Sequence, residues 1–494
     1  SDVCSSDLVE GTNYTVEMKI PLTDITPAHN VQLGFDVQIN DGNDGSRESV
    51  AIWNDLTGQG YQDPSVFGVL TLKTEWDEEE EDEEDDRDRG RSRSRSNTSS
   101  SQTRSVKQSD GTVTITPTML TRDGTAMATI SEDHLQEALA QADLQDGKKL
   151  IAIRMPGADV NSYEVQLPAQ SLRGSDDFAL VIETETASLD IPSDMLSNVT
   201  AETEQVSIRV SAVSPDNLDD AVREQTGDRP VIGLRLLTAS GEELGWNNPD
   251  APVTVSIPYT PTEEELQNPD HIVVWYIDGE GNVTAIPNGR FNEKTGSVVF
   301  STTHFSTFAV ASVFKTFDDL QHVSWAKEAI EVLAARDVIR GNGENRFMPS
   351  KFITRADYIA LLVRVLELQS AGEQVVMFAD VADSAYYVDE LRIAKELGIL
   401  PDTGSNLFQP SNDISREEMM VLTVRALTAA GMLIDDGEAL DAYPDAASVS
   451  DYARESVEAL VASKLIVGKD GKLAPSDPLT RAEAAMVLYR IWKR

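Results

Sequence analysis

Alternating apolar and polar positions dominate the first two thirds of the chain, and a helical period takes over in the last third. In "YTVEMKI" (Tyr14–Ile20), "VQLGFDVQIN" (Val31–Asn40) and "SVFGVLTLK" (Ser65–Lys73) the alternation predicts strands, with "NDGNDGSRE" between them as a polar, turn-rich loop. Residues 9–73 therefore read as part of an all-β, β-sandwich-like domain. The same alternation returns over 106–314, in "TVTITPT", "YEVQLPA", "FALVIETETASLDIP", "VSIRVSAV" and "VTVSIPYT". "VVWYIDGEGNVTAI" adds two strands around a Gly-rich turn, and "EDHLQEALAQA" is a short amphipathic helix. This middle region predicts one or two antiparallel, sandwich-like β domains acting as a spacer. Between the two β regions, residues 74–105 hold an acidic block and then an Arg/Ser block, with almost nothing to bury. That composition predicts a disordered linker.

From Phe317 onward the pattern is helical and it repeats. "ITRADYIALLVRVL" begins at Ile353, "ISREEMMVLTVRAL" at Ile414 and "LTRAEAAMVLYRIW" at Leu479. Each unit opens on an aromatic and an aspartate two residues on, at Phe317 and Asp319, Phe378 and Asp380, and Tyr443 and Asp445. A second aromatic follows at Trp325, Tyr386 and Tyr452, then an amphipathic helix, then a polar loop ending in proline. The repeats span 317–370, 378–432 and 443–494. Thr354 with Asp357, Ser415 with Glu418, and Thr480 with Glu483 fit a capping box, so each word starts a helix. Ile359, Leu362, Val363 and Leu366 mark its buried face.

The box leaves one residue unexplained. Arg355, Arg416 and Arg481 stand at the first helical position, where the helix dipole disfavours a cation by about 0.3–1 kcal/mol. Arg364, Arg425 and Arg490, near the helix ends, are favourably placed. Free amides at a helix start bind anions, and an arginine beside them adds a fork for a carboxylate. One reading is three anion-recognition corners; the other is that each arginine pairs with an aspartate of a neighbouring repeat and locks the repeats together. On the first reading, truncating these arginines leaves stability unchanged or slightly raised.

Composition narrows the function. With 84 acidic against 41 basic residues, the net charge of −43 argues against binding a phosphate backbone, and no nucleic-acid partner is expected. No apolar run is long enough to span a membrane. The single cysteine, Cys4, permits no intramolecular disulfide, which does not exclude secretion. The chain starts at Ser1 without a signal pattern and is expected to be the back end of a longer protein. No catalytic constellation is identifiable: His29, His134, His271, His304 and His322 are scattered, and carboxylate pairs are too common to nominate one.

The three units resemble S-layer homology domains, on the strength of the aromatic-x-Asp opening, Trp325-Ala326, the Gly-rich loop ending in Phe-x-Pro, and Ile-Thr-Arg-Ala-Asp/Glu. The resemblance covers Phe317 to Arg494. It implies an α-helical three-repeat pseudo-trimer that binds the pyruvylated secondary polysaccharide of a Gram-positive-type cell wall. It further implies that Arg355, Arg416 and Arg481 hold the pyruvate carboxylate, and that Asp319, Asp380, Asp445, Trp325 and Gly341 shape the grooves. The second repeat departs from the pattern, with Asp402 where the first has Gly341, Tyr386 for Trp, and Glu417 for Ala. Its groove, with Arg416, is expected to be the weakest.

"YTVEMKIP", "GFDVQIND", "AIWND" and "YQDPSVFGVLTL" resemble the C-terminal third of a family-9 carbohydrate-binding module. That family grips xylan or cellulose chain ends between aromatic platforms. Tyr61, beside Gln62 in a polar loop, is the platform candidate, and Trp53 is either a second platform or a core tryptophan. Asp41 and Asp44 could hold a structural Ca2+ or simply make a turn; no other cofactor is implied. The two module types together resemble the tail of a secreted, cell-surface xylanase, a glycosidase whose catalytic domain is not in this chain. The alternatives are a structural surface-layer protein with no enzymatic partner, and a hydrolase of unrecognised type within 106–314.

Overall fold

The computed structural model describes residues 103–494 apart from 146, 175–176, 200–202, 371, 373–374, 401–405 and 433–439, together with four upstream strands. Those strands form two antiparallel pairs, Gln32–Phe35 with Gly68–Thr71 and Gln38–Asn43 with Ser46–Ile52. Of the stretch expected as a loop, residues 40–43 and 46–48 are instead paired strand, with a register shift at Asp41 and Gly42. His29, Asp44, Trp53, Tyr61, Gln62 and the greater part of the 74–105 segment lie outside the described residues. Residues 1–97 and 98–494 are separate compact units.

The β domain of the second unit has two sheets with a common core that includes Ile115, Ile151, Leu180, Ile208, Leu234 and Phe308. From edge to edge, the first sheet runs Arg290–Asn292, Ser297–Thr302, Val253–Pro258, Ser188–Pro192, Phe178–Glu183, Lys148–Arg154, Val113–Thr116, Arg104–Lys107. The second runs Val283–Ile286, Ile272–Ile277, Thr307–Ser312, Val231–Thr238, Gln205–Ala212, Ser162–Pro168, Thr125–Thr129, Leu120–Arg122. The antiparallel expectation holds for most neighbours but not all. Lys148–Arg154 runs parallel to both its main-path neighbours, and Ser162–Pro168 runs parallel to Thr125–Thr129. Helix α1 (Glu132–Gln141), capped by Ser131, lies in the connections of two of these parallel pairs, and from Lys148–Arg154 to Phe178–Glu183 the chain crosses through Ser162–Pro168 of the second sheet. Short helices α2 (Asp220–Thr226) and α3 (Glu263–Leu266) complete the domain.

Among the described residues six α-helices follow: α4 (Ser324–Ala335), α5 (Arg355–Val365), α6 (Val388–Glu396), α7 (Arg416–Ala429), α8 (Arg454–Ala462) and α9 (Arg481–Lys493). One core spans all three repeats, with Ile330, Leu333, Ile359, Leu391, Leu422, Leu460 and Leu488 within it. Helices α4, α6 and α8 end in a left-handed residue at Asp337, Gly398 and Lys464, the usual way of turning the chain out of a helix. At the centre the repeats exchange backbone hydrogen bonds in a ring. The Ile353 amide donates to Leu479 (2.9 Å), Leu479 to Ile414 (3.0 Å), and Ile414 back to Ile353 (3.1 Å). No helix among the described residues is long and apolar enough to cross a membrane.

Where the β domain meets the helices, Asn288 donates from its amide and its side chain to the Glu367 carboxylate. Burial pushes the Glu367 carboxyl up to about 7 against those hydrogen bonds, which favour its charged form. A carboxyl raised above its unfolded value of about 4.3 penalises folding as pH climbs from there through 7, and not below. Glu367→Gln is therefore expected to raise the melting temperature at pH 8 relative to the parent, with the gap closing toward pH 4. Thermal melts of both proteins across that range check it; a gap independent of pH would contradict it.

Candidate functional site

Each helix that opens the repeated word is built as its cap predicts. The hydroxyls of Thr354, Ser415 and Thr480 accept from the amides of Asp357, Glu418 and Glu483. Only Glu483 completes the box by accepting from its own cap amide, at 2.9 Å. The other two carboxylates are drawn across repeat boundaries. Asp357 accepts from the hydroxyl of Tyr386, and Glu418 pairs with Arg355.

The amides next to these caps are not free, which overturns one step of the sequence argument. The Arg355 amide donates to Asn412 (2.9 Å), Arg416 to Asp477 (3.0 Å) and Arg481 to Lys351 (2.9 Å). The following amides, of Ala356, Glu417 and Ala482, donate to the carbonyls of Pro410, Pro475 and Pro349. Every helix start is thus satisfied by the loop of the next repeat, the third closing on the first. An anion arriving here meets side chains, not open amides.

The arginines follow the same cycle. Arg355 Nε donates to the Phe408 carbonyl (3.0 Å), Arg416 to Leu473 (2.9 Å) and Arg481 to Phe347 (2.9 Å). The guanidiniums of Arg355 and Arg481 also lie over the rings of Phe408 and Phe347, at 4.9 and 4.5 Å. Neither sequence reading anticipated a backbone carbonyl as the acceptor. The second triplet stays at its helix ends: Arg364 grips Glu390 (2.6 Å), and Arg425 and Arg490 donate to the carbonyls of Ile399 and Leu465.

Those acceptor loops are held by the opening aspartates. Asp319 accepts from the amides of Phe347 and Met348, Asp380 from Phe408 and Gln409, and Asp445 from Leu473 and Ala474, all at 2.7–3.0 Å. Met348, Gln409 and Ala474 are left-handed, with φ of 58°, 60° and 50°. A residue with a Cβ resists that conformation by about 1–2 kcal/mol, and the paired bonds to a carboxylate offset it. Burial alone would raise the Asp380 and Asp445 carboxyls, but the donated amides hold both below their ordinary value. Gly341 and Gly468 matter by close approach: a Cβ would stand 2.5 Å from the Phe317 ring or 2.9 Å from that of Tyr443. Asp402 lies outside the described residues, while the end of its loop, at Phe408, meets Arg355 and not Arg416.

A groove therefore takes its parts from all three repeats. Arg416 of the second repeat, Gly468 and Lys469 of the third, and Trp325 of the first line a cleft of about 380 Å³. Trp325 is 56 % exposed there, and the equivalent Tyr386 and Tyr452 are 69 % and 64 % exposed. Arg416 is 5 % exposed, with Glu483 at 3.7 Å, and Glu483 also takes Lys469 at 3.0 Å. Burial works against the charge on Glu483, but Thr480, Lys469 and Arg416 hold its pKa low. Arg355 is neutralised by Glu418. Arg481 has no acidic side chain within ion-pair distance among the described residues, and its second nitrogen donates to the Arg340 carbonyl (2.9 Å).

The S-layer homology domain family matches residues 316–359, 378–420 and 442–485. The chain carries three S-layer homology domains. A second family, carbohydrate family 9 binding domain-like, matches residues 2–75, where Asp41 sits in a described strand. Among curated proteins the chain is similar to an exoglucanase XynX of Acetivibrio thermocellus, 26 % identical over 100 % of this chain and 42 % of that one. It is similar to an endo-1,4-beta-xylanase A of Thermoanaerobacterium saccharolyticum, 26 % identical over 85 % of this chain and 32 % of the relative. A surface-layer 125 kDa protein of Lysinibacillus sphaericus is 32 % identical over 37 % of this chain and 15 % of its own length. The chain thus spans less than half the length of each of these relatives. Outside the S-layer homology domains, His304 lies edge-on to Tyr276 at 4.8 Å, and His271 binds the Val313 carbonyl. No group of three metal-ligating side chains occurs among the described residues.

Proposed function

We propose that residues 317–494 form a pseudo-trimer that anchors the chain to a cell wall by holding the pyruvate ketal of a secondary wall polysaccharide in its inter-repeat grooves. The observation that carries this is the cyclic exchange: each arginine reaches the carboxylate-clasped loop of the next repeat, beside an exposed aromatic of the third. A cation fixed on two sides and facing a wide aromatic surface suits an anionic sugar, which needs one charge contact and one apolar face. The family-9-like region would bind plant polysaccharide such as xylan or cellulose chain ends. On this reading the protein is secreted and sits at the surface of a Gram-positive-type bacterium, as the tail of a polysaccharide-degrading enzyme.

A second reading, a structural surface-layer protein, draws on the likeness to the Lysinibacillus protein, which covers 37 % of the chain. The likeness to the exoglucanase runs over the whole chain and favours the enzyme tail. Co-sedimentation of the full chain with purified wall sacculi tests the anchor. The chain is expected to pellet with intact sacculi and to stay in solution once the secondary polymer has been extracted; pelleting with both would overturn the proposal.

A further inference from the structure

The bundle has a second committed surface, away from the grooves, and a buried cation is at its centre. Arg336 follows α4, is 1 % exposed and has no carboxylate within ion-pair distance among the described residues. Its terminal nitrogens donate to four carbonyls: Asp270 (2.6 Å), Ile272 (3.1 Å), Gly289 (3.0 Å) and Val332 (3.2 Å). Three of the four belong to the β domain. Trp492 of α9 lies against the guanidinium at 4.1 Å, and its indole N–H donates to the Pro287 carbonyl at 2.7 Å. Lys493 pairs with the Asp270 carboxylate at 2.5 Å, and Tyr489 donates to it at 2.9 Å. The Asn288 contact to Glu367 lies along the same junction.

A guanidinium taken out of water costs several kcal/mol unless its N–H groups are met by acceptors in the right directions. Four directed bonds meet its terminal nitrogens in this placement of the two parts, Nε being buried without a partner, and the three bonds to Asp270, Ile272 and Gly289 are lost if the β domain moves away. A flexibly tethered spacer would have no reason to bury such a charge at its joint. The placement also has a direction. Pro287 and Gly289 lie between the edge strands Val283–Ile286 and Arg290–Asn292, and the first strands, Arg104–Lys107 and Leu120–Arg122, are at the opposite edges of the two sheets. Seven strand spacings of about 4.8 Å each separate the entry strand Arg104–Lys107 from Arg290–Asn292 along the first sheet.

We propose that the β domain and the three-repeat bundle form one rigid arm, locked through Arg336, in which the β domain is a strut. It holds the chain entering at Arg104 at a fixed distance and direction from the anchor. The strut requires only the junction, so it stands whether or not the grooves bind a pyruvylated sugar.

Pulsed electron spin resonance on the full chain tests it, with spin labels on Glu137→Cys of α1 and Glu455→Cys of α8 in a Cys4→Ser background. Both label sites are exposed helix positions, one on each side of the joint. One narrow distance distribution is expected, and Arg336→Met is expected to broaden it about twofold or more. If Arg336→Met does not fold, the rim double variant Asn288→Ala with Lys493→Ala is read in its place, with the same broadening expected. A broad distribution in the parent, or folded variants as narrow as the parent, would overturn the strut.

Discussion

Replacing Arg416 with alanine is expected to cost more stability than the same change at Arg355 or Arg481. Its side chain is buried between the second and third repeats, where it satisfies the carbonyl of Leu473, itself fully buried. It also faces Glu483, a carboxylate kept charged partly by that arginine. Truncation leaves the carbonyl without its donor and weakens the electrostatic support of a half-buried acid, at a cost of about 2–4 kcal/mol. The opposing gain from the helix dipole is at most about 1 kcal/mol. The balance contradicts the sequence-based expectation of unchanged or raised stability. Calorimetry of the three alanine variants decides it. A melting temperature several degrees lower for Arg416→Ala, and smaller losses for the other two, is the expected order; an unchanged Arg416→Ala would contradict it.

The largest effect on binding is expected at Arg481. A ligand carboxylate must compete with whatever already occupies the guanidinium, and Glu418 already occupies that of Arg355. Arg481 is held by two carbonyls and a ring, which position the fork without neutralising it. Hydrogen bonds to a charged group are worth about 1.5–3 kcal/mol, so Arg481→Ala should weaken binding of a pyruvylated disaccharide by about 10- to 100-fold. Arg355→Ala should change it by less than about threefold. Titration calorimetry of the two variants checks the ranking, and a larger loss at Arg355 would reverse it.

The helix starts were legible because a capping hydroxyl and an acid three residues on are local signals, and Thr354, Ser415 and Thr480 carry them in plain view. The destinations of the arginines were not. Arg481 and Phe347 are 134 residues apart, and nothing local says that the third repeat closes on the first. Assigning Glu417 to the groove of Arg416 followed from treating each repeat as self-contained. In the fold, Glu417 instead accepts from Ser450 and Tyr452 of the third repeat. The aspartate clasp left a readable trace: Asp319, Asp380 and Asp445 each precede their loop partner by the same 28 residues. In the β domain, alternation showed the strands but carries no direction, so the parallel pairing of Lys148–Arg154 was invisible. Arg336 ends a run that reads as an ordinary amphipathic helix, and only the docked β domain reveals why it is buried.

In the proposed function the grooves recognise a carboxylate on the wall polymer through their arginines. The most direct measurement is binding of the full chain to wall sacculi before and after mild acid removal of the pyruvate ketals, with the polysaccharide otherwise intact. Loss of binding on removal of the ketals is the predicted result; equal binding to both preparations would contradict it.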